Sequence, residues 1–174
     1  FVAAANYTFF IGGNGPIQPA SHGTILRHAE YYALKLYGDL LGGQLLSCRA
    51  EVPVQNVQMP MDRRWPQANQ PLSRLREIPL IDAVATVSEE QCTVFCINLD
   101  EKQDQPLEIT LAQDAGCYSH LTIRTLWHND LHARNTEDNP KRVSLTEKKL
   151  PLTENRLVLS LPCHSLTAVT FWRK

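Results

Sequence analysis

From about residue 80 to the end of the chain, apolar side chains recur at every second position. In QCTVFCINL, Phe95, Ile97 and Leu99 share one face. Leu107, Ile109 and Leu111 repeat the pattern with Glu108 and Thr110 opposite, and Leu121 with Ile123, Leu157 with Leu159 and Leu161, and Val169 with Phe171 continue it. A period of two is that of a strand buried on one side. Short strands of this kind, joined by turns such as LDEKQDQP, are expected to pair antiparallel and stack as a β-sandwich, jelly-roll-like in plan. No helical period competes with this after residue 46, and there is no internal repeat.

The first forty-odd residues read differently. FVAAANYTFFI has the apolar run of a buried strand, and GGNGPIQPASHG has the Gly and Pro content of a loop. Leu26, Ala29, Ala33, Leu36 and Leu40 then recur at spacings of three and four, which predicts a helix with Thr24 as N-cap and Gly42-Gly43 as its stop. Strand, loop and helix make one β/α unit, which cannot bury itself alone. Its apolar helix face must fold back on the sandwich, drive self-association or fray, and residues 1–42 are expected to be less protected than the sandwich. The predicted division is 1–43 for this unit, 44–79 for a first sandwich strand (QLLSCRAEV) and a linker, and 80–174 for the sandwich. The linker carries Pro53, Pro60, Pro66, Pro71 and Pro79, which is hard to reconcile with any regular element. A second polar stretch, LHARNTEDNP at 131–140, is too long for a hairpin turn. Its Asn and Asp side chains, with Pro140 holding Asn139 extended, predict an ordered, self-bonded loop.

Composition narrows the function classes. Seventeen basic and eighteen acidic residues give a net charge of −1 with no basic block, so neither nucleic acid nor an anionic membrane is an expected partner. No apolar run approaches the roughly 20 residues of a membrane span, and the start lacks the pattern of a signal peptide. The opening on Phe1 without an initiator Met predicts a portion of a longer protein. Cys48, Cys92, Cys96, Cys117 and Cys163 are odd in number and form no CxxC pair. Cys92 and Cys96 would lie about 13 Å apart on one strand face, too far to bond. Buried thiols in a reducing compartment are therefore favoured, and a cytoplasmic setting over a secreted one.

Candidate chemistry is sparse. Glu30 and Asp39 fall on the helix, Asp100, Glu101 and Asp104 in a turn, and Glu137 and Asp138 in the polar loop, so no pair of rigidly held carboxylates is suggested. His128 and His132 have i, i+4 spacing but lie between strands with no Glu after the first, and no metal or other cofactor is expected. His22 and His28 flank a helix start without a paired nucleophile, and Ser21 beside His22 is mere adjacency. Asn6-Tyr7-Thr8 has the form of a glycosylation acceptor within a strand expected to be buried. Trp65, Trp127 and Trp172 would make a sugar-stacking platform if exposed, and core or interface plugs otherwise.

In order, these features resemble the C-terminal end of α-L-arabinofuranosidases of glycoside hydrolase family 51. The family's VNLD, NAHNTFENP and LPPKSVVVL are matched here by INLD (97–100), LHARNTEDNP (131–140) and LPCHSLTAV (161–169). Asn135, Asn139 and Pro140 fit the pattern, whereas Leu131 and Arg134 depart from it. The resemblance implies a parent enzyme with a (β/α)8 barrel that hydrolyses terminal α-L-arabinofuranosyl residues of arabinose-containing oligo- or polysaccharides with retention, using two glutamates on barrel strands before the last. Residues 1–43 would then be the last β/α unit, and this chain would lack both glutamates and be inactive alone. Homo-oligomerisation of the parent is open. The loop Gly12 to Gly23 would emerge at the barrel face where such sites are built, with Asn14, Gln18 and His22 as lip candidates. The alternative is a free-standing, noncatalytic carbohydrate-binding or interaction module, and a related hydrolase family with the same plan is a further one.

Overall fold

The period-two segments do become strands, and most of them join one sheet. The computed structural model describes residues 10–12, 15–40, 42–58, 75–112, 118–152 and 154–174. In chain order these hold β1 (Ile17–Pro19), β2 (Ile25–Arg27), α1 (Ala29–Leu40), β3 (Gln44–Leu46), β4 (Val54–Gln58), β5 (Leu75–Pro79), β6 (Ile81–Val87), β7 (Gln91–Asn98), β8 (Gln105–Thr110), β9 (Tyr118–Leu126), β10 (Leu145–Pro151), β11 (Arg156–Leu161) and β12 (Leu166–Arg173). A six-stranded antiparallel sheet runs β10-β9-β12-β7-β6-β3, and β11 pairs with β8 as a second layer. The chain leaves the large sheet after β7, returns for β9 and β10, leaves again for β11 and re-enters as β12 between β7 and β9. The result is mainly β, as the patterning predicts.

Side-chain parity divides the large sheet into two apolar faces. Ile81, Ala85, Cys92, Val94, Cys96, Leu121, Val169 and Phe171 face the β8–β11 layer, which contributes Leu107, Ile109, Leu157, Leu159 and Leu161. The predicted phase of these last strands is therefore correct. The opposite face presents Phe95, Ala168, Val84 and Leu166, and here α1 lies down with Leu36 and Leu40 fully buried. Tyr37 stacks on Phe95, with ring centroids 4.6 Å apart and planes 18° from parallel. So Phe95 does not belong to the sandwich interior, as the pattern led us to expect, and Leu99 is exposed beyond the end of β7. A strand with both faces buried shows no alternation from which its inner face could be read.

The helix differs at its start. Leu26 lies in β2, where it is buried, and α1 begins at Ala29. Residues 17–27 instead close an antiparallel hairpin in which Pro19 opposes Ile25. Thr24 does not cap the helix. Its N–H donates to Ser21 O and its carbonyl accepts from Ala20 N, within the hairpin turn. Local cross-strand bonds win over helix formation here, as Gly23 (φ +77°) and the β-branched Thr24 and Ile25 favour. The strand expected in the first eleven residues lies outside the described residues except at Phe10 and Ile11, and Ile11 forms an isolated parallel bridge to Ile17. The helix stop holds: α1 ends at Leu40, and Gly43 adopts φ +77° where a Cβ would stand 1.8 Å from Val87 O. Only glycine passes there.

The two ends of the proline-rich linker are more regular than expected, and residues 59–74 between them, with Pro60, Pro66 and Pro71, lie outside the described residues. Val54 to Gln58 pairs antiparallel with Leu75 to Pro79, and Leu80 N–H donates to Pro53 O. Pro53 precedes one strand and Pro79 closes the other, positions where a missing donor costs little.

One end of the sandwich is tied by Asn98, which is 1% exposed. Its amide donates to Gln103 O (3.0 Å), Leu161 O (3.1 Å) and Pro162 O (3.0 Å), while its Oδ1 accepts from Asp100 N (2.9 Å). Asp100 in turn accepts from Lys102 N, Gln103 N and Gln105 Nε2. The INLD segment is thus the staple that joins the β7–β8 turn to the β11–β12 turn across the two layers.

Phe95→Ala is expected to cost about 3 to 5 kcal/mol, because it empties the contact between sheet and helix. Glu108→Ala removes an exposed pair with Arg156 and a 3.5 Å contact from Thr110 Oγ1, and should stay within about 0.5 kcal/mol. Denaturant midpoints of the two variants check this, and equal values would refute the assignment of Phe95. The hydrogen bonds of Asp100, that from Lys102 N–H foremost, hold its carboxyl below the usual 3.8. A depressed folded value means stabilisation that is complete above the unfolded value and lost as pH falls through the folded one. The stability advantage of the wild type over Asp100→Asn should therefore shrink on acidification from pH 7 to below about pH 4. Parallel melting curves at several pH values read this directly.

Candidate functional site at the hairpin and loop junction

The 131–140 loop is self-bonded as expected, and it is also bonded to the far end of the chain. Thr136 and Asn139 exchange backbone hydrogen bonds (3.3 and 3.1 Å), Asn139 N–H also donates to Thr136 Oγ1, and Arg142 N–H donates to Asn139 O. Asp130 Oδ1 accepts from His132 N, Asp130 Oδ2 accepts from Arg142 Nη2 at 3.1 Å, and His128 Nδ1 accepts from Asp130 N. Asn135 is the centre of the loop. Only 4% exposed, it receives Val143 N–H on Oδ1 (2.7 Å) and donates through Nδ2 to Val143 O (2.8 Å) and to Arg27 O (2.6 Å). Both amide hydrogens and the oxygen are used, so the carboxamide is satisfied in one orientation only. A few residues on, Glu137 Oε1 accepts the backbone N–H of Ser21 at 2.8 Å.

This junction surrounds two of the three lip candidates. Gln18 sits on β1 with its Oε1 2.9 Å from His28 Nε2. His22 is exposed on the short turn Ser21–Gly23 with φ 56° and ψ 29°. Asn14 lies outside the described residues. The structure brings Gln18 together with His28 and brings the His22 turn under Glu137, but it aligns no nucleophile with either histidine among the described residues.

Four of the acids stand in surface ion pairs with residues of opposite charge. Asp39 pairs with Lys35, Glu108 with Arg156, Glu147 with Arg124 and Asp130 with Arg142. Among the described residues no group of three or more His, Cys, Asp or Glu side chains could hold a metal ion. Burial pushes the Cys96 thiol up to about 12 and raises that of Cys92, so neither offers a thiolate. An open groove of about 430 Å³ runs between β10 and β11, with Ile123, Leu150 and Leu157 apolar, Trp127 and Lys148 beside them, and no carboxylate in its lining. Trp127 is 40% exposed, whereas Trp172 is half-buried, stacked on His120, and donates Nε1–H to Thr122 Oγ1. Trp172 lies opposite His120 and Trp127 follows Leu126, which places them at opposite ends of the sheet, about 20 Å apart at the usual strand rise. They cannot share one stacking platform. Trp65, Cys117 and the Asn6-Tyr7-Thr8 acceptor lie outside the described residues, and no helix among the described residues is long and apolar enough to cross a membrane.

Sequence reasoning placed Asn135 in an ordered loop but missed its partner Arg27, 108 residues away, and missed Glu137 as a cap for Ser21. Nothing local marks either pairing.

The fold recurs in solved α-L-arabinofuranosidases. It matches the Thermotoga maritima enzyme solved in an arabinose complex with a TM-score of 0.75 and 19% identity, over 93% of this chain and 32% of that one. The family 51 enzyme of Thermotoga petrophila RKU-1 matches with a TM-score of 0.74 and 19% identity, over 92% and 32%. AbfB of Bifidobacterium longum, also of family 51, matches with 0.69 and 21%, over 92% and 29%. The chain thus spans about a third of the length of these enzymes, and at such identities the likeness concerns the fold. No curated protein matches the chain. The family described as Alpha-L-arabinofuranosidase C-terminal domain matches residues 1–165, nearly the whole sequence, and the chain belongs to that family.

Proposed function

We propose that this chain is the supporting C-terminal domain of an α-L-arabinofuranosidase that releases terminal arabinofuranosyl residues from arabinose-containing oligo- or polysaccharides with retention. The observation that carries the reading is the family match over residues 1–165. Asp39, Glu108, Asp130 and Glu147 meanwhile stand in separate surface ion pairs. The two catalytic glutamates then lie in a (β/α)8 barrel outside this chain, and residues 1–43 form the last β/α unit of that barrel, docked by α1 on the sandwich. Ile11 before the hairpin, Ile25 on it and Leu34 on α1 are 40–65% exposed in the isolated chain, which supports a contact of this unit with the rest of that barrel. A cytoplasmic setting is part of this reading, and the unpaired thiols Cys92 and Cys96 support it. The carbohydrate-binding reading loses its main support with the separation of Trp127 from Trp172.

The full-length protein is expected to release the aryl group from an aryl α-L-arabinofuranoside and to form the α-anomer of arabinose first, while residues 1–174 alone give no turnover. Colorimetric rates with early NMR of the product anomer decide both points. An inactive full-length protein, or turnover by residues 1–174 that vanishes on mutating one of their own acids, would overturn the reading.

A further inference from the structure

His164, in the β11–β12 turn, has both nitrogens of its ring against carbonyl oxygens. Nε2 stands 2.7 Å from His128 O, just beyond the end of β9, and Nδ1 stands 3.2 Å from Glu101 O, in the β7–β8 turn. Its backbone N–H donates to Asp100 O at 2.8 Å. A carbonyl oxygen only accepts, so each ring nitrogen must carry a hydrogen to bond its partner. Neutral imidazole has one N–H and one lone pair, and the lone pair would then face a carbonyl. Only the imidazolium makes both bonds. The neighbouring histidine makes a different demand, because His128 Nδ1 accepts from Asp130 N–H at 3.0 Å and must be free of hydrogen.

Solvent reaches the His164 ring. The residue is half-buried and lines, with His128, Leu99, Trp127 and Leu131, an open groove of about 390 Å³. The charged groups on the segments around it are Asp100, Glu101, Lys102 and Asp104 in the β7–β8 turn and Asp130, paired with Arg142, beyond β9, while Cys163 is its titratable neighbour in its own turn. Four carboxylates against two cations do not oppose a positive ring.

We propose that His164 is a proton-operated latch: as the imidazolium it clamps the β11–β12 turn both to the end of β9 and to the β7–β8 turn, and on losing a proton it releases one of them. The bond released is the longer, exposed one to Glu101 O, and the shorter one to His128 O is kept. The sign follows from which form is fully bonded. The turn is held most firmly on the acid side of the range of about pH 5 to 8 in which histidines change charge, and it loosens as pH rises through that range. The latch thus acts above the acid range in which the neighbouring Asp100 carboxyl, held below its usual value, gives up its own contribution.

Amide hydrogen exchange of the full-length protein, corrected for the intrinsic pH dependence of exchange, reads the latch segment by segment. Protection of residues 161–166 in the wild type is expected to fall on the order of fivefold between about pH 5.5 and about pH 8. His164→Asn removes the ring, keeps a residue that tolerates the left-handed φ of 42° found here, and should leave protection low and flat over the same range. His128→Asn should retain the wild-type profile, because His164 bonds the carbonyl of His128 and not its ring. Wild-type protection that stays flat or rises with pH would overturn the inference, as would a pH dependence that survives in His164→Asn or disappears in His128→Asn. Should His164→Asn fail to fold, the wild-type and His128→Asn profiles still decide the matter.

Discussion

Everything in this domain depends on the six-stranded sheet being buried on both faces. A sheet with one wet face needs only one covering layer, but β7 and β12 place Cys92, Val94, Cys96, Val169 and Phe171 on one side and Phe95 with Ala168 on the other. Each exposed face would leave large apolar area in water at roughly 25 cal/mol per Å². Two covers are therefore required, the β8–β11 layer and α1. The helix is not an appendage that happens to lie nearby, since Leu36, Leu40 and Tyr37 are what closes the face carrying Phe95. That requirement makes α1 and the strands of the last hundred residues parts of one packing problem.

Apolar layers specify proximity but not register or end geometry, and two buried amides provide these. Asn98 holds the β7–β8 turn against Leu161 and Pro162 at one place, and Asn135 holds the loop after β9 against Arg27 at another. Each uses its full complement of donors, so an Asp in either position would put a carboxylate oxygen against carbonyls, and an apolar residue would leave backbone groups unpaired in the interior. Both belong to short segments, INLD and LHARNTEDNP, that stand out in the sequence without any chemistry to perform. Their distinctiveness reflects architecture. Cys92 and Cys96, whose thiols burial keeps protonated, likewise serve packing.

The sequence by itself determined the class of fold and the family. Strand phase was legible wherever one face is buried and the other wet, as in Leu107 and Ile109 against Glu108, or Leu157 and Leu159 against Val158, because alternation is a one-dimensional record of a two-sided environment. It was illegible in β7, where alternation vanishes when both faces are covered. Leu26 was drawn into the helical pattern because spacing cannot report that a hairpin with Pro19 offers the same residues better hydrogen bonds, and the prolines around β4 and β5 hid strands that merely end at them. Which face of the sheet receives α1, that Asn135 reaches Arg27, and that Glu137 orders the turn of His22 were decided only by tertiary structure. Those contacts join residues some hundred positions apart, and the free energy that selects them comes from satisfying buried polar groups in three dimensions, a condition no local pattern of side chains encodes.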